Sequence, residues 1–425
     1  MANTNNQKKT TLLIEDIGQL ISMRGSVPRR GTAMSEIGLI ENGFVAVSGE
    51  TVTAIGSGDK KSGKIDPAEN CVVISAENKV VTPGLIDPHT HPVFAGTREL
   101  EFEMRLSGKS YMEIARAGGG IRASVRCLRE ADEKSLMERT RKTIDTLMSY
   151  GVTSMEAKSG YGLSTKSEIK MLEAIQKLNE QESMDLYPTF LGAHEIPDEY
   201  RDNRDAYVDL VINEMIPAVA EQNLALFCDV FCEEGVFTVD ESRKILMAAR
   251  QAGMKPKLHA DEIKSTGGAE LAVELDAVSA DHLGCISKAG IRQLANSDTV
   301  AVLLPGTAFA LDLKESAPAR EMIEKGVIVA LSTDCNPGSS MTESLPMIIS
   351  LAAVKLKMTA AESLSAVTVN AACAIGQGER LGRLEKNLPA DIVIWDMEDY
   401  RELPYHYGVN LVDTVIKNGK VIIEK

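Results

Sequence analysis

The 425-residue chain has no apolar run near the roughly 20 residues that a membrane-spanning helix needs. It also lacks positive charge. Against 61 Asp and Glu stand only 46 Lys and Arg, a net charge of −15. Nucleic acid and an anionic membrane are therefore not the expected partners, although one local arginine can still hold an anionic small molecule. The opening stretch, Met1 to Thr11, is polar and has no hydrophobic core of a signal peptide. The cysteines (71, 127, 228, 232, 285, 335 and 373) are odd in number and follow no disulfide spacing. Reduced thiols in a cytoplasmic protein are the expectation. Cys228 and Cys232 share one face of a candidate strand, so zinc is conceivable there. No second pair follows, and buried small hydrophobes is the expected role.

What is present divides the chain by texture. Residues 11–80 read as short β segments: Thr11–Glu15, Gly18–Met23, Phe44–Ser48, Thr51–Gly56 and Cys71–Ser75. The C-terminus repeats the style with Asp391–Trp395, Leu411–Lys417, an Asn418-Gly419 turn and Lys420–Glu424. Residues 1–80 and 380–425 are expected to form one composite, sandwich-like β domain, with 81–379 inserted between them. In the insert, apolar strands alternate with amphipathic helices. The strand candidates are Val80–Asp87, Val152–Lys158, Asp185–Gly192, Ala225–Phe231, Lys255–Leu258, Ala277–Ala280, Thr299–Leu304 and Val327–Ser332. Eight strands in alternation predict an α/β fold, a closed (β/α)8 TIM-type barrel. An open doubly wound sheet is the competitor, but no Gly-rich phosphate loop follows the first strand.

Histidine is scarce, six residues in all. Five fall at or just beyond the end of a candidate strand: His89 and His91 after the first, His194 after the third, His259 after the fifth and His282 after the sixth. Asp334 follows the eighth. Functional side chains of such barrels gather at that one rim. His89 and His91 are i and i+2, so on extended backbone they face the same way. Taken alone, the triplet reads as a chance His-x-His on a surface turn; in this company it reads as half a metal site. A catalytic site uses three or four N/O ligands and keeps a place for water. His89, His91 and His259 offer nitrogens, and Asp334 a carboxylate. Water on such a cation loses a proton near pH 7. His282 would orient that water or take its proton, unless it is a hydrogen-bonded core histidine.

Pro83-Gly84-Leu85-Ile86-Asp87-Pro88-His89-Thr90-His91, with the later His, His and Asp, resembles the amidohydrolase superfamily signature. Thr368-Val369-Asn370-Ala371-Ala372 and Leu388-Pro389-Ala390-Asp391-Ile392-Val393 resemble that superfamily's return to its β domain. More narrowly, several segments are similar to those of the imidazolonepropionases, the ring-opening hydrolases of histidine breakdown. They are Lys158-Ser159-Gly160-Tyr161-Gly162, Phe190-Leu191-Gly192-Ala193-His194, His259-Ala260-Asp261-Glu262, Ser279-Ala280-Asp281-His282, Leu304-Pro305-Gly306-Thr307, Asp334-Cys335-Asn336-Pro337-Gly338-Ser339-Ser340 and Pro404-Tyr405-His406-Tyr407-Gly408-Val409-Asn410. Cys335 departs from the pattern, which has Phe there, and so bears on pocket shape. Many superfamily members hold two metals bridged by a carboxylated lysine after strand four. That strand here ends in Phe231-Cys232-Glu233-Glu234, so one divalent ion per subunit, zinc or iron, is implied. Lys158 follows strand two and is expected to be a structural or pocket-wall cation.

The resemblance implies a small substrate with a planar ring and a carboxylate tail. Arg98 can grip a carboxylate with two parallel hydrogen bonds, though a lone loop arginine is more often a solvated charge. Tyr161 and His194 would contact ring and tail. Asn336, Gly338 and Ser339 offer hydrogen bonds beside Asp334, or form merely a turn. Glu262 is expected to shuttle a proton to the leaving ring nitrogen; an exposed loop carboxylate is its alternative. Ala117–Ile121, rich in glycine, is a lid hinge or only a flexible loop. Tyr405-His406-Tyr407 reads as packing or interface. A homodimer is common in the superfamily. The competing functions are a deaminase of an aromatic heterocycle, discriminated by ammonia release, and a metal-free scaffold of the same fold.

Overall fold

The computed structural model describes residues 9–58, 65–109, 113 and 118–425. Its first strands are β1 (Thr10–Ile21), β2 (Leu39–Ser48), β3 (Thr51–Ser57), β4 (Pro67–Ser75) and β5 (Val80–Pro83). Then come β6 (Leu85–Asp87), β7 (Val152–Lys158), β8 (Asp185–Ala193), β9 (Phe227–Cys232), β10 (Lys255–Ala260), β11 (Ser279–His282), β12 (Val300–Leu303) and β13 (Val329–Leu331). The chain closes with β14 (Ile392–Trp395), β15 (Val412–Lys417) and β16 (Lys420–Glu424).

Strands β6 to β13 pair in chain order, every neighbour parallel, with helices between them. This is a nearly closed (β/α)8 barrel. Side chains tie the seam between β13 and β6. Asp87 accepts from the Ser332 and Thr333 hydroxyls and from the Thr333 amide, and the His89 amide donates to Ser332 Oγ at 2.9 Å. The remaining strands form the second sheet in the order β16-β15-β14-β5-β1-β2-β3, with β4 also on β1. Both chain ends therefore contribute to it, around a wholly aliphatic cluster that includes Leu12, Ile14, Val45, Val81, Ile392 and Ile416.

Val80–Asp87, expected as one strand, is two. β5 belongs to the terminal sheet and β6 to the barrel, parted at Gly84. A Cβ on Gly84 would stand 2.3 Å from Thr153 Oγ1, so only glycine lets the chain cross there. One of the helical segments between the strands is broken too. It runs Arg204–Leu210, widens by a turn at Val211–Met215, and resumes at Ile216–Glu221 with Pro217 at its start. Val152–Lys158 falls at the expected residues. Helix Val239–Gln251 opens on a reciprocal capping box between Thr238 and Glu241. Among the described residues no helix is long and apolar enough to cross a membrane.

Strand periodicity sorts the barrel. Met155, Ala157, Leu258, Ala260 and Ala280 face the helices in the main apolar core. The alternate positions fill the lumen. Its lower layer is apolar, with Ile86, Phe227, Val302 and Ala330 closed off by Ala371 and Ala372. Above that layer the lumen turns ionic, and above the ions stand the histidines.

Candidate metal centre and pocket

His89 Nε2 lies 3.5 Å from Asp334 Oδ1, and His91 Nε2 lies 3.6 Å from the same oxygen. His91 Nε2 and His259 Nε2 are 3.4 Å apart. A tetrahedron with ligand bonds of about 2.1 Å has edges of about 3.4 Å, so these separations suit one small cation. All four side chains are buried, and His89 Nε2 has no hydrogen-bond partner among the described residues. A buried nitrogen left so is costly unless something binds it. Burial, then the Lys158 ammonium, holds His89 well below the usual imidazole range; burial and His194 do the same for His91. Both rings are therefore neutral, with lone pairs to give. Three imidazoles and a carboxylate are a donor set for zinc or iron. The residues present fit the ion.

The layer beneath decides which nitrogen faces upward. Asp281 Oδ2 lies 2.6 Å from His89 Nδ1, and Asp229 Oδ2 lies 2.9 Å from His259 Nδ1. At His89 Nδ1–H is turned down to a carboxylate in a hydrogen bond, and at His259 Nδ1 faces one at ion-pair distance, so in both rings Nε2 lies above. Lys158 Nζ donates to Asp229 at 2.7 Å and lies 2.9 Å from Glu156 and 3.6 Å from Asp281. Lys257 Nζ stands 2.8 Å from Glu156 Oε1 and donates to the Pro88 carbonyl at 3.1 Å. All five charged side chains are fully buried. Burial opposes the charge on Lys158, but Asp229, Glu156 and Asp281 outweigh it and raise its affinity for the proton. Lys158 thus lies below the pocket rather than in its wall.

A cavity of about 370 Å3 opens above the histidines. Its lining includes Arg98, Tyr161, His194, Glu262 and His282, as well as the turn residues Asn336, Gly338 and Ser339. Arg98 Nη2 donates to Glu101 Oε2 at 2.6 Å. A Cβ on Gly338 would meet Arg98 Nη1 at 2.4 Å, so the guanidinium packs directly against that glycine. Tyr161 is carried by a loop whose amides (Gly160, Gly162 and Leu163) all donate to the buried Glu168. His194 donates Nδ1–H to the Gly160 carbonyl at 2.9 Å and stacks on His91, ring centres 5.2 Å apart. Burial drives it down to about 3, so it is neutral. Asn336 spends its side chain on its own turn, donating to the Asp334 carbonyl and accepting from the Gly338 and Ser339 amides.

Glu262 lies 3.5 Å from His282 Nδ1, and Glu233 positions its loop by accepting from the Ile263 amide. Burial, then the negative charge of Asp334, pushes Glu262 up to about 8 in the metal-free protein. It holds a proton at neutral pH. Burial likewise raises Asp334 to about 7, and Thr307 donates to its Oδ2 at 2.6 Å. Asp261, His282 and Asp334 all have positive φ, of 50°, 75° and 52°. For side-chain-bearing residues this conformation is uncommon, and it gathers at this rim.

Other sequence expectations fall outside this cluster. Gly120 and Ile121 line the cavity, while Ala117 lies outside the described residues. Cys335 is buried, and its carbonyl, not its thiol, meets the site by accepting from the His91 amide. No described group of possible metal ligands includes Cys228 or Cys232. His406 is exposed, and Tyr405 and Tyr407 are 83% and 72% exposed, so they do not pack within the chain.

The sequence model of the amidohydrolase family matches residues 80–422. An imidazolonepropionase of Alkaliphilus oremlandii is 50% identical over 413 residues, 97% of this chain and 98% of its own. One from Geobacillus kaustophilus is 50% identical over the same shares. The chain belongs to the imidazolonepropionase family of amidohydrolases. Solved structures share its fold at lower identity. A zinc-bound adenosine deaminase from Xanthomonas campestris has a TM-score of 0.71 at 18% identity, covering 98% of this chain and 94% of its own. A 5-methylcytosine deaminase from Klebsiella pneumoniae has 0.72 at 18%, covering 97% and 98%. Membership in this hydrolase family does not by itself explain the ionic layer. Glu156, Lys257, Asp229 and Asp281 were not singled out from the sequence. Their signal was charge at alternate positions inside otherwise buried strands, as in Glu156/Lys158, with Lys257 two residues before His259.

Proposed function

We propose that the chain hydrolyses the ring C–N bond of 4-imidazolone-5-propanoate, giving N-formimidoyl-L-glutamate in the breakdown of histidine to glutamate. The observation that carries this reading is the cavity's polarity. Arg98 lines one part of the cavity, and three of the four donors (His91, His259 and Asp334) line another, together with the Glu262 carboxyl. His89, His91, His259 and Asp334 would hold one divalent ion per subunit, zinc or iron. When bound, that ion polarises the ring carbonyl and acidifies a water.

The chain's own residues do the rest. Arg98 grips the carboxylate tail and fixes the ring's direction. Tyr161 and His194 wall the ring, and the Asn336–Ser339 turn shapes the tail's end. Asp334 and His282 orient the attacking water. Glu262 carries the proton that the ring nitrogen receives as the C–N bond breaks. Cavity size agrees, since ligand sites commonly begin at about 300 Å3. Burial of the floor also excludes bulk water, which strengthens every charge–charge contact there.

The test follows the loss of imidazolonepropionate absorbance in parallel with metal analysis. Glu262→Gln is expected to keep its metal and lose turnover by about a hundredfold or more. Near-normal turnover removes Glu262 from the mechanism, and ammonia release from an amino-heterocycle would favour a deaminase instead. We also read residues 1–80 with 380–425 as one unit and 81–379 as the other; sheet membership supports two such units but moves the boundary to Gly84, since β5 (Val80–Pro83) pairs in the terminal sheet. The exposed Tyr405 and Tyr407 support a homodimer, testable by sedimentation, and seven unpaired thiols support a cytoplasmic location.

A further inference from the structure

We propose that Lys158 is a built-in cation beneath the centre: it holds the two carboxylates that aim His89 and His259, and its charge keeps a second divalent ion out of the barrel. This rests on the reading of His89, His91, His259 and Asp334 as ligands of one ion.

The side chains of His89, Asp229 and Asp281 offer atoms within 4.8 Å of one another, and a divalent ion drawn to the two carboxylates would take the place of the Nδ1 proton of His89. All three are fully buried, and Asp281 Oδ1 has no hydrogen-bond partner. Left alone, such a cluster would attract a cation. It already has one. β7 sends Lys158 into the lumen, where Nζ stands 2.7 Å from Asp229 and 3.6 Å from Asp281. Glu156, two residues earlier on the same strand, closes the third side at 2.9 Å.

Lys257, the second ammonium of this layer, bonds Glu156 and the Pro88 carbonyl instead. The two lysines therefore have different tasks. Lys257 neutralises the layer from its side, while Lys158 stands between the two carboxylates that orient ligands. A free ion entering this space would face a fixed like charge in a water-poor interior, where repulsion is barely screened. A lysine also differs from a metal in one useful way. It cannot be chelated or exchanged, so the imidazoles keep their aim in the metal-free chain.

The experiment strips the full-length protein with chelator and titrates it with Co2+, reading cobalt per chain by absorbance and by elemental analysis after gel filtration. Wild type is expected to saturate at one equivalent; two tight equivalents overturn the proposal. Lys158→Ala removes the ammonium and opens its space, and it is expected to take up a second equivalent. Lys158→Arg restores a cation and should return to one. A folded Lys158→Ala, checked by near-ultraviolet circular dichroism, that stays at one equivalent overturns the proposal. Should Lys158→Ala fail to fold, Lys158→Gln, which removes the charge and keeps most of the bulk, takes its place, and a folded Lys158→Gln that stays at one equivalent overturns the proposal. His91→Ala tests the underlying reading separately: if the first equivalent binds unweakened, that reading fails while Lys158 is untouched.

Discussion

Inside the terminal sheet the buried cluster is aliphatic throughout, from Leu12 and Ile14 to Ile394 and Ile416. Inside the barrel, one layer below the histidines, five charged side chains are equally buried. The difference lies in what each can specify. Apolar burial is strong but non-directional, so it holds a sheet together without aiming any atom. A buried ion layer is poor value as stabilisation, because desolvation consumes most of its attraction. It does fix direction. Asp281 and Asp229 each present one oxygen to one Nδ1, and Lys158 holds both in place. The terminal sheet makes the fold, and the ion layer makes the site.

The sharpest way to break this comparison is to cut each region once. Asp229→Leu leaves Lys158 short of its nearest partner and His259 without its Nδ1 acceptor. Stability of the metal-free protein is expected to fall by about 3–5 kcal/mol, the usual result of unpairing a buried charge. Metal affinity should weaken by roughly ten- to a hundredfold. Ile394→Ala in the terminal sheet should cost a similar or smaller amount, about 2–5 kcal/mol by lost burial and cavity. Its metal affinity should not change. Urea unfolding with parallel chelator competition separates the two; equal losses of affinity would erase the distinction.

A smaller effect is expected at the rim, where placement matters but burial is incomplete. Gly338→Ala sets a Cβ on the Arg98 guanidinium. Arg98 must swing away, and the charge-assisted hydrogen bond proposed for it with the substrate tail, about 1.5–3 kcal/mol, would be lost. KM should rise about ten- to a hundredfold with kcat nearly constant and unfolding unchanged. A fall in kcat with constant KM would show that the turn serves the reaction rather than the tail.

These two regions also differed in how legible they were. Most terminal strands were readable because turn residues punctuate them, and Lys420–Glu424 falls where expected. Thr11–Glu15 and Gly18–Met23, expected as two, are instead the single strand β1, with an irregularity between Ile14 and Ile17. The histidines and Asp334 were readable because scarce residues recur at strand ends. Gly84 misled, since Val80, Val81, Leu85 and Ile86 read as one apolar run. Nothing local shows that the run changes sheets; that depends on Thr153, far along the chain. The ion layer was hidden for a related reason. Lys257 or Glu156 alone looks like a solvated charge, and only closure of the barrel brings them within 2.8 Å. Positive φ at His282 and Asp334 has no sequence signal either, as neither is glycine.

The smallest expected effect sharpens the comparison most cheaply, because it keeps the chemistry and changes only the setting. Lys79 and Asp413 pair across the terminal sheet at 2.7 Å, the same separation as Lys158 and Asp229. Their side chains are 27% and 20% exposed, whereas those of Lys158 and Asp229 are fully buried. Water reaches the outer pair, solvates each partner when the other is removed, and screens their attraction. Lys79→Met should therefore cost less than about 1 kcal/mol, and a double-mutant cycle with Asp413→Asn should give a coupling of similar size that shrinks in high salt. The cycle at Lys158 and Asp229 should be several times larger and insensitive to salt. If the outer pair matched the inner one, burial would not be what separates them, and the directional role assigned to the ion layer would need another cause.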